Sequence, residues 1–415
     1  MSEKEILRPL VEEMLELAAL PEQEHKKQMW AEHQALRKTS KIPVCVYYEG
    51  IPPEEWVLML GNNFLQTRSE LARLMEFDFR RRIWMARHVN DDHILWPQIA
   101  IPAALSRSHD WGVPLRWKSA DDATDYLQAK AVEPVFEEQI DISRLHFSDI
   151  AINEAETAAR AEQASSLTGG RLPVNITYPD LSFSPFDVAV QMRGMQNLLT
   201  DAIDAPEEVH RLMDFITAVY EQHHQNREKR GWINYAPAPG TPYAIVGFRV
   251  HCAYSSPHPT RSRPQLADEW AYVSAQTSCG FSPEMYREFV HPYNARLAKY
   301  FSRQTVYYHG CECLDHKIDI IATLPNLRRF HVSPWSSVAI ARAKLGGKII
   351  LEVHAHPGKV LFGYNRAEMK KEVAALIAQA SGVSLDINLS DIHSVNKNPE
   401  LLTTWAQAAQ EMAVK

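Results

Sequence analysis

The segment Tyr307-Tyr308-His309-Gly310-Cys311-Glu312-Cys313 places one imidazole and two thiols at alternate positions. Side chains alternate faces along a β-strand, so in an extended backbone His309, Cys311 and Cys313 look the same way. Neutral imidazole and thiolate are the ligands zinc prefers, and His-x-Cys supplies two of the three protein ligands of an open catalytic site. The competing reading is a pair of cysteines acting as small apolar side chains beside a hydrogen-bonded core histidine.

Groups of the same chemistry recur at three later points. His331 and Ser333 end one apolar run, Glu352, His354 and His356 alternate at the end of the next, and Asp391 and His393 follow the last. Each alone is explained by a solvated loop or a helix cap. Four consecutive junctions with metal-competent or proton-carrying groups point instead to a metal or acid/base site. Strand parity puts Glu352, His354 and His356 on one face. Three ionisable groups turned outward beneath covering helices would be costly without partners, so the trio is expected to face inward as proton donors or orienting groups. Asp91-Asp92-His93, ahead of the apolar Ile94-Leu95-Trp96, reads equally as another strand end or as a turn with helix-capping acids.

The elements that must position these groups alternate in type. Runs at 174–177, 245–253, 270–275, 305–308, 329–332, 348–353 and 384–389 read as strands. The stretches 206–228, 282–302, 314–323, 336–345, 366–380 and 398–412 read as helices. Strands alternating with helices make parallel βαβ units, and this many in one chain predict an α/β fold closed into a (β/α)8 TIM-type barrel. Such barrels keep their chemistry at the C-terminal strand ends. Ile42 to Tyr48 reads as an earlier strand. Before it, apolar residues at helical spacing (Ile6, Leu10, Val11, Met14, then Met29, Trp30) predict two amphipathic helices. The expected division is a mainly helical N-terminal extension over 1–85 and a catalytic barrel over 86–415.

A chain of 415 residues, 45% hydrophobic, can bury a large core. Its formal net charge of −7 argues against a nucleic-acid footprint, which needs a basic face. The clusters Arg80-Arg81-Arg82 and Arg261-Ser262-Arg263 read as solvated surface. No stretch reads as a signal peptide or a membrane span, and five cysteines at irregular spacing form no disulfide framework, so a cytoplasmic protein with reduced thiols is expected. Neither G-x-G-x-x-G nor a P-loop occurs.

The segment from Phe281 to Tyr293, the Tyr-His-Gly-Cys strand end, Pro325-Asn326-Leu327 and Asn398-Pro399-Glu400-Leu401-Leu402 together resemble the uroporphyrinogen decarboxylase superfamily, most closely over about 170 to 412. The chain looks like the branch of corrinoid-linked methyltransferases, whose barrels hold zinc through a His-x-Cys pair and a further Cys after the last strand. His309 and Cys311 match the pair. The third position falls at Asp391, and no Cys follows Cys313, so the resemblance implies zinc on His309, Cys311 and Asp391, with Cys313 and His393 in reserve. The arginine-bearing segment by which the decarboxylases bind their substrate is replaced by Cys45-Val46-Tyr47-Tyr48-Glu49-Gly50. The resemblance therefore implies a zinc-dependent methyltransferase or demethylase working between a small O- or S-methyl compound and a corrinoid. Decarboxylation of a carboxylated small molecule is the second reading, and a non-catalytic corrinoid-binding barrel the third. The signature Asp-x-His-x-x-Gly is absent, so the cobalamin-type cofactor is expected free or on a separate protein. The N-terminal helices would pack on the barrel or on the second copy of a homodimer.

Overall fold

Eight of the twelve strands among the described residues form the parallel sheets: β1 (Val44–Val46), β2 (Ile99–Pro102), β3 (Val174–Thr177), β4 (Ala271–Ser274), β5 (Val306–His309), β6 (Leu327–Val332), β7 (Ile350–His354) and β8 (Leu385–Leu389); the other four make two short antiparallel pairs. The computed structural model describes residues 1–119, 130–181, 184–234, 265–300 and 306–414. The strand expected at 245–253 and the cluster Arg261-Ser262-Arg263 lie outside them. The other expected strands are present, with ends moved by at most two residues. The helix expected over 282–302 is two, Pro283–Phe289 and His291–Ala298, because Pro292 lacks the N–H that would continue the first.

The order β4-β5-β6-β7-β8-β1 forms one parallel sheet, and β2-β3 form a second parallel pair. This is the strand sequence of a (β/α)8 barrel laid out in two arcs. Among the described residues no ladder joins β1 to β2 or β3 to β4, so the closed barrel expected from the sequence is observed as an open sheet plus a pair. Side chains occupy the seams. The Val44 N–H donates to the Asp92 carboxylate at 2.9 Å and the Val46 N–H to Asp91 at 2.7 Å, in place of carbonyls from a neighbouring strand. Just beyond β3, Asn234 plays the same part, accepting from the Tyr178 N–H and donating to the Tyr178 carbonyl, both at 2.8 Å.

One face of the large sheet is apolar and packs against helices through Val44, Tyr308, Phe330, Leu351, Val353 and Ile387. The other face is polar and equally buried: Tyr307, His309, Arg329, His331, Glu352, His354 and Asp386 are all under 7% exposed. Barrel interiors are ordinarily filled by branched apolar side chains. Here alternate positions carry ionisable groups instead, and they must satisfy one another.

The helix Pro21–Gln34 covers the end of the sheet where the strands begin. His33 Nε2 lies 2.8 Å from Asp386, Trp30 Nε1 donates to the Asp92 carbonyl at 2.8 Å, and Gln23 accepts from the Leu95 N–H at 2.8 Å. The helix Glu3–Ala18 begins with a Ser2/Glu5 capping box and buries Leu7, Val11 and Met14 against Ala72, Met75 and Phe79 of the helix Glu70–Trp84. Burying side chains of this size stabilises by roughly 1.5–3 kcal/mol each. β1 lies within the first 85 residues and pairs with β8, so the sheet begins inside the segment expected to be an extension. Among the described residues no helix is long and apolar enough to cross a membrane.

Candidate metal centre

β5 ends at His309, and Gly310 turns the chain so that Cys311 comes back beside it. A Cβ at Gly310 would stand 3.0 Å from the Leu314 side chain and 3.1 Å from the Glu312 carboxylate, so the turn suits glycine. The Cys311 sulfur lies 3.1 Å from His309 Nε2 and 3.6 Å from the Gln276 side-chain oxygen. Next along the sheet, β6 brings His331 over His309, with ring centroids 4.2 Å apart. One ligand atom from each of His309, Cys311 and His331 falls within 4.8 Å of the others. In a tetrahedral zinc site, nitrogen at about 2.0 Å and sulfur at about 2.3 Å stand roughly 3.5 Å apart, so this set needs little movement to close on an ion.

Electrostatics favour the ligand forms of the two histidines. Burial, reinforced by the charge of His354, pushes His309 down to about 4. His331 is held well below the usual imidazole range by burial, then by His354 and His309. Neither of its buried ring nitrogens makes a hydrogen bond of normal geometry, and the Gly310 backbone acts on the ring as an acceptor. A buried imidazole so weakly satisfied is costly, and a bound cation would relieve it. Cys311 differs: it opens to solvent at the mouth, yet the protein packed around its sulfur and the charges of Asp391 and Glu312 push the thiol up to about 12. A metal would have to displace that proton.

Hydrogen bonds fix the His309 tautomer. The Tyr307 hydroxyl donates to Glu352 at 2.7 Å, so it accepts from His309 Nδ1–H at 3.0 Å and leaves the Nε2 lone pair facing Cys311. This is the carboxylate-supported histidine of metal sites, with a phenol inserted. Glu352 also accepts from Arg329 at 2.7 Å and from His354 Nε2 at 2.9 Å. Burial would raise its pKa, but the Arg329 charge and the His354 hydrogen bond hold the carboxyl far below the usual range. Arg329 reaches on to Asp386 at 2.9 Å. From His354, Nδ1 meets Ser390 Oγ at 2.5 Å, and Ser390 donates to Asp391 at 3.2 Å. A continuous path therefore runs from buried Glu352 to exposed Asp391.

The residues singled out in the sequence are distributed unevenly. His309 and Cys311 are together, and Glu352 and His354 lie inward beside them. Where the resemblance implies Asp391 as third ligand, the cluster has His331. Asp391 sits exposed on a left-handed turn (φ 54°), tied to the site through Ser390 and through its charge on Cys311 and His309. Cys313 and His393 are exposed and outside the cluster. His356 departs from the expected face: β7 ends at His354, and His356 caps the helix Pro357–Phe362 by accepting from the Lys359 N–H, its ring against exposed Trp335. The sequence reading did not pick out Tyr307, Arg329 and Asp386 as site residues. The available signal was parity, since Tyr307 shares a face with His309 and Arg329 with His331.

The uroporphyrinogen decarboxylase (URO-D) family matches residues 265–411, the stretch from β4 to the last helix that contains the whole cluster. A solved structure, a methyltransferase from Methanosarcina mazei, superposes on 93% of this chain and 98% of its own with a TM-score of 0.52 at 11% sequence identity, which is a likeness of fold. Among curated proteins none matches the sequence. The superfamily that the motifs resemble is thus supported by a family match over β4 to β8 and by a fold match over nearly the whole chain.

Proposed function

We propose that this chain is a methyltransferase of the URO-D superfamily that moves a methyl group between a small O- or S-methyl compound and a corrinoid, with zinc on His309, Cys311 and His331. The observation that carries the reading is the neutral, pre-oriented His309 beside a thiol and a second buried imidazole that lacks a hydrogen bond of normal geometry. A neighbour in fold that is itself named a methyltransferase supports it. A zinc ion bound there would act as a Lewis acid on the heteroatom that holds or receives the methyl group.

The chain's own residues supply the rest. Tyr307 and Glu352 keep His309 in the tautomer that presents Nε2. His354, hydrogen-bonded to Glu352 and to Ser390, stands next to the cluster as the proton donor. In transfer to a corrinoid the heteroatom would leave with the bonding electrons of its methyl bond, and His354 would supply its proton. Ser390 and Asp391 return one from solvent. The corrinoid comes free or on a separate protein.

The test is to incubate zinc-loaded protein with reduced cobalamin and methoxylated or methylthio compounds and follow the corrinoid spectrum. Formation of methylcobalamin that is lost in Cys311→Ala supports the reading. Carbon dioxide release from a carboxylated substrate without corrinoid would replace it with the decarboxylase reading.

A further inference from the structure

A second group of metal-competent side chains lies at the seam beside β1. The Cys45 sulfur, an Asp91 carboxylate oxygen and a His93 ring nitrogen all fall within 4.8 Å of one another. Cys45 is fully buried and Asp91 is 3% exposed. His93 Nδ1–H donates to Asp91 Oδ2 at 2.7 Å; burial works against the charged ring, but the charges of Asp91 and Glu49 raise its pKa, so a metal at Nε2 would displace a proton there. A carboxylate fixing the tautomer in this way is the usual support of a metal-binding histidine. Asp91 also accepts from the Val46 and His93 N–H groups, which with Nδ1–H uses three of the roughly four acceptor positions of a carboxylate.

An independent observation points the same way. A cavity of about 30 Å³, room for an ion or a water, is lined by His93, Asp91 and Glu49. Both Glu49 carboxylate oxygens are buried with no hydrogen-bond partner from another residue. Of the cations nearby, Arg82 is engaged with Asp78 and the carbonyls of Gln98 and Trp96, and Lys26 with Asn90, while the charges of His93 and Arg81 act on Glu49 without fully offsetting its burial. A buried carboxylate left in this condition is costly, and a cation in the cavity would relieve it.

We propose that Cys45, Asp91 and His93, with Glu49 across the cavity, form a second zinc site, structural in role, that ties β1 to the segment leading into β2. Thiolate with imidazole and carboxylate selects zinc over magnesium or calcium, which take oxygen ligands. Binding exchanges the Cys45 S–H bond for a sulfur–zinc bond and releases the proton to solvent. The site stands where no strand ladder holds the two arcs together.

The experiment uses the full chain carrying His309→Ala and Cys311→Ala, which removes two ligands of the first centre. Loaded with Zn²⁺ alone and desalted, this variant should retain about one zinc per chain. Loaded with Co²⁺, it should develop the intense ultraviolet band of thiolate-bound cobalt. Adding Cys45→Ser should abolish both. His93→Gln, at a ring that packs on Tyr47 and Tyr48, should abolish the zinc as well. No retained zinc and no thiolate band, or a band that survives Cys45→Ser, would overturn the proposal. None of these readouts depends on methyl transfer.

Discussion

His309 and His331 lie face to face, ring centroids 4.2 Å apart and planes 17° from parallel, in a site where burial keeps both imidazoles unprotonated. Two neutral rings from adjacent strands, one already paired to a thiol, form a ligand set in which neither ring repels a cation. His331→Ala should therefore remove most of the zinc that the Cys45→Ser chain binds, whereas Asp391→Asn should leave it nearly unchanged. Metal analysis after desalting decides. The reverse pattern would return the third position to Asp391.

The protonation states give a proton count. Both histidines are neutral at pH 7 and the Cys311 thiol, held up to about 12, is protonated, so each zinc entering this centre should release about one proton. Affinity should rise about tenfold per pH unit from ~6 to ~9. Calorimetric titration in buffers of different ionisation enthalpy measures the count. A value near three would mean that the imidazoles are charged in the metal-free protein.

Tyr307→Phe removes only the hydroxyl that joins His309 to Glu352. Zinc affinity should fall by roughly 10–100-fold, the usual cost of losing such a supporting hydrogen bond, with the fold intact. Competition against a chromophoric chelator reads the change, and an unaltered affinity would rule out the relay.

Arg329 is fully buried between Glu352 and Asp386. Arg329→Met leaves two buried carboxylates facing each other and should cost about 3–5 kcal/mol in urea denaturation at neutral pH. Folded pKa values of both acids lie below their usual ones, so their contribution is present above about pH 4 and is lost as the pH falls through the folded values. The variant's deficit should accordingly shrink on acidification.

His354 and His356, two residues apart, should respond differently. His354→Ala is expected to lower methyl transfer by on the order of a hundredfold with metal content unchanged. His356→Ala removes a helix cap worth about 1 kcal/mol and should leave turnover within a few-fold of the parent. Equal losses in turnover would place both rings in the chemistry.

The sequence revealed those parts of the fold that local chemistry decides. Val306 to His309, Ile350 to His354 and Leu385 to Leu389 are β-branched, aromatic or apolar runs, and each forms a strand. Parity placed Glu352 and His354 inward, but it ends where the strand ends: Pro357 starts a helix and turns His356 into its cap. The interior network was hidden because Arg329 and Asp386 sit mid-strand, where an apolar filling is the ordinary expectation. Only their long-range partners, His33 and Glu352, explain them. The open seams were equally hidden, because nothing local announces that Asp91 and Asp92 will bond to the β1 backbone.

That last feature bears on how the molecule behaves in a crowded solution. A strand with bare backbone donors along its edge is a template on which another chain can extend a sheet. Along β1 those donors are answered from within by Asp91 and Asp92, and a foreign strand arriving there would have to displace two carboxylates. The same acids that stand in the seam beside β1 keep its edge from recruiting neighbours.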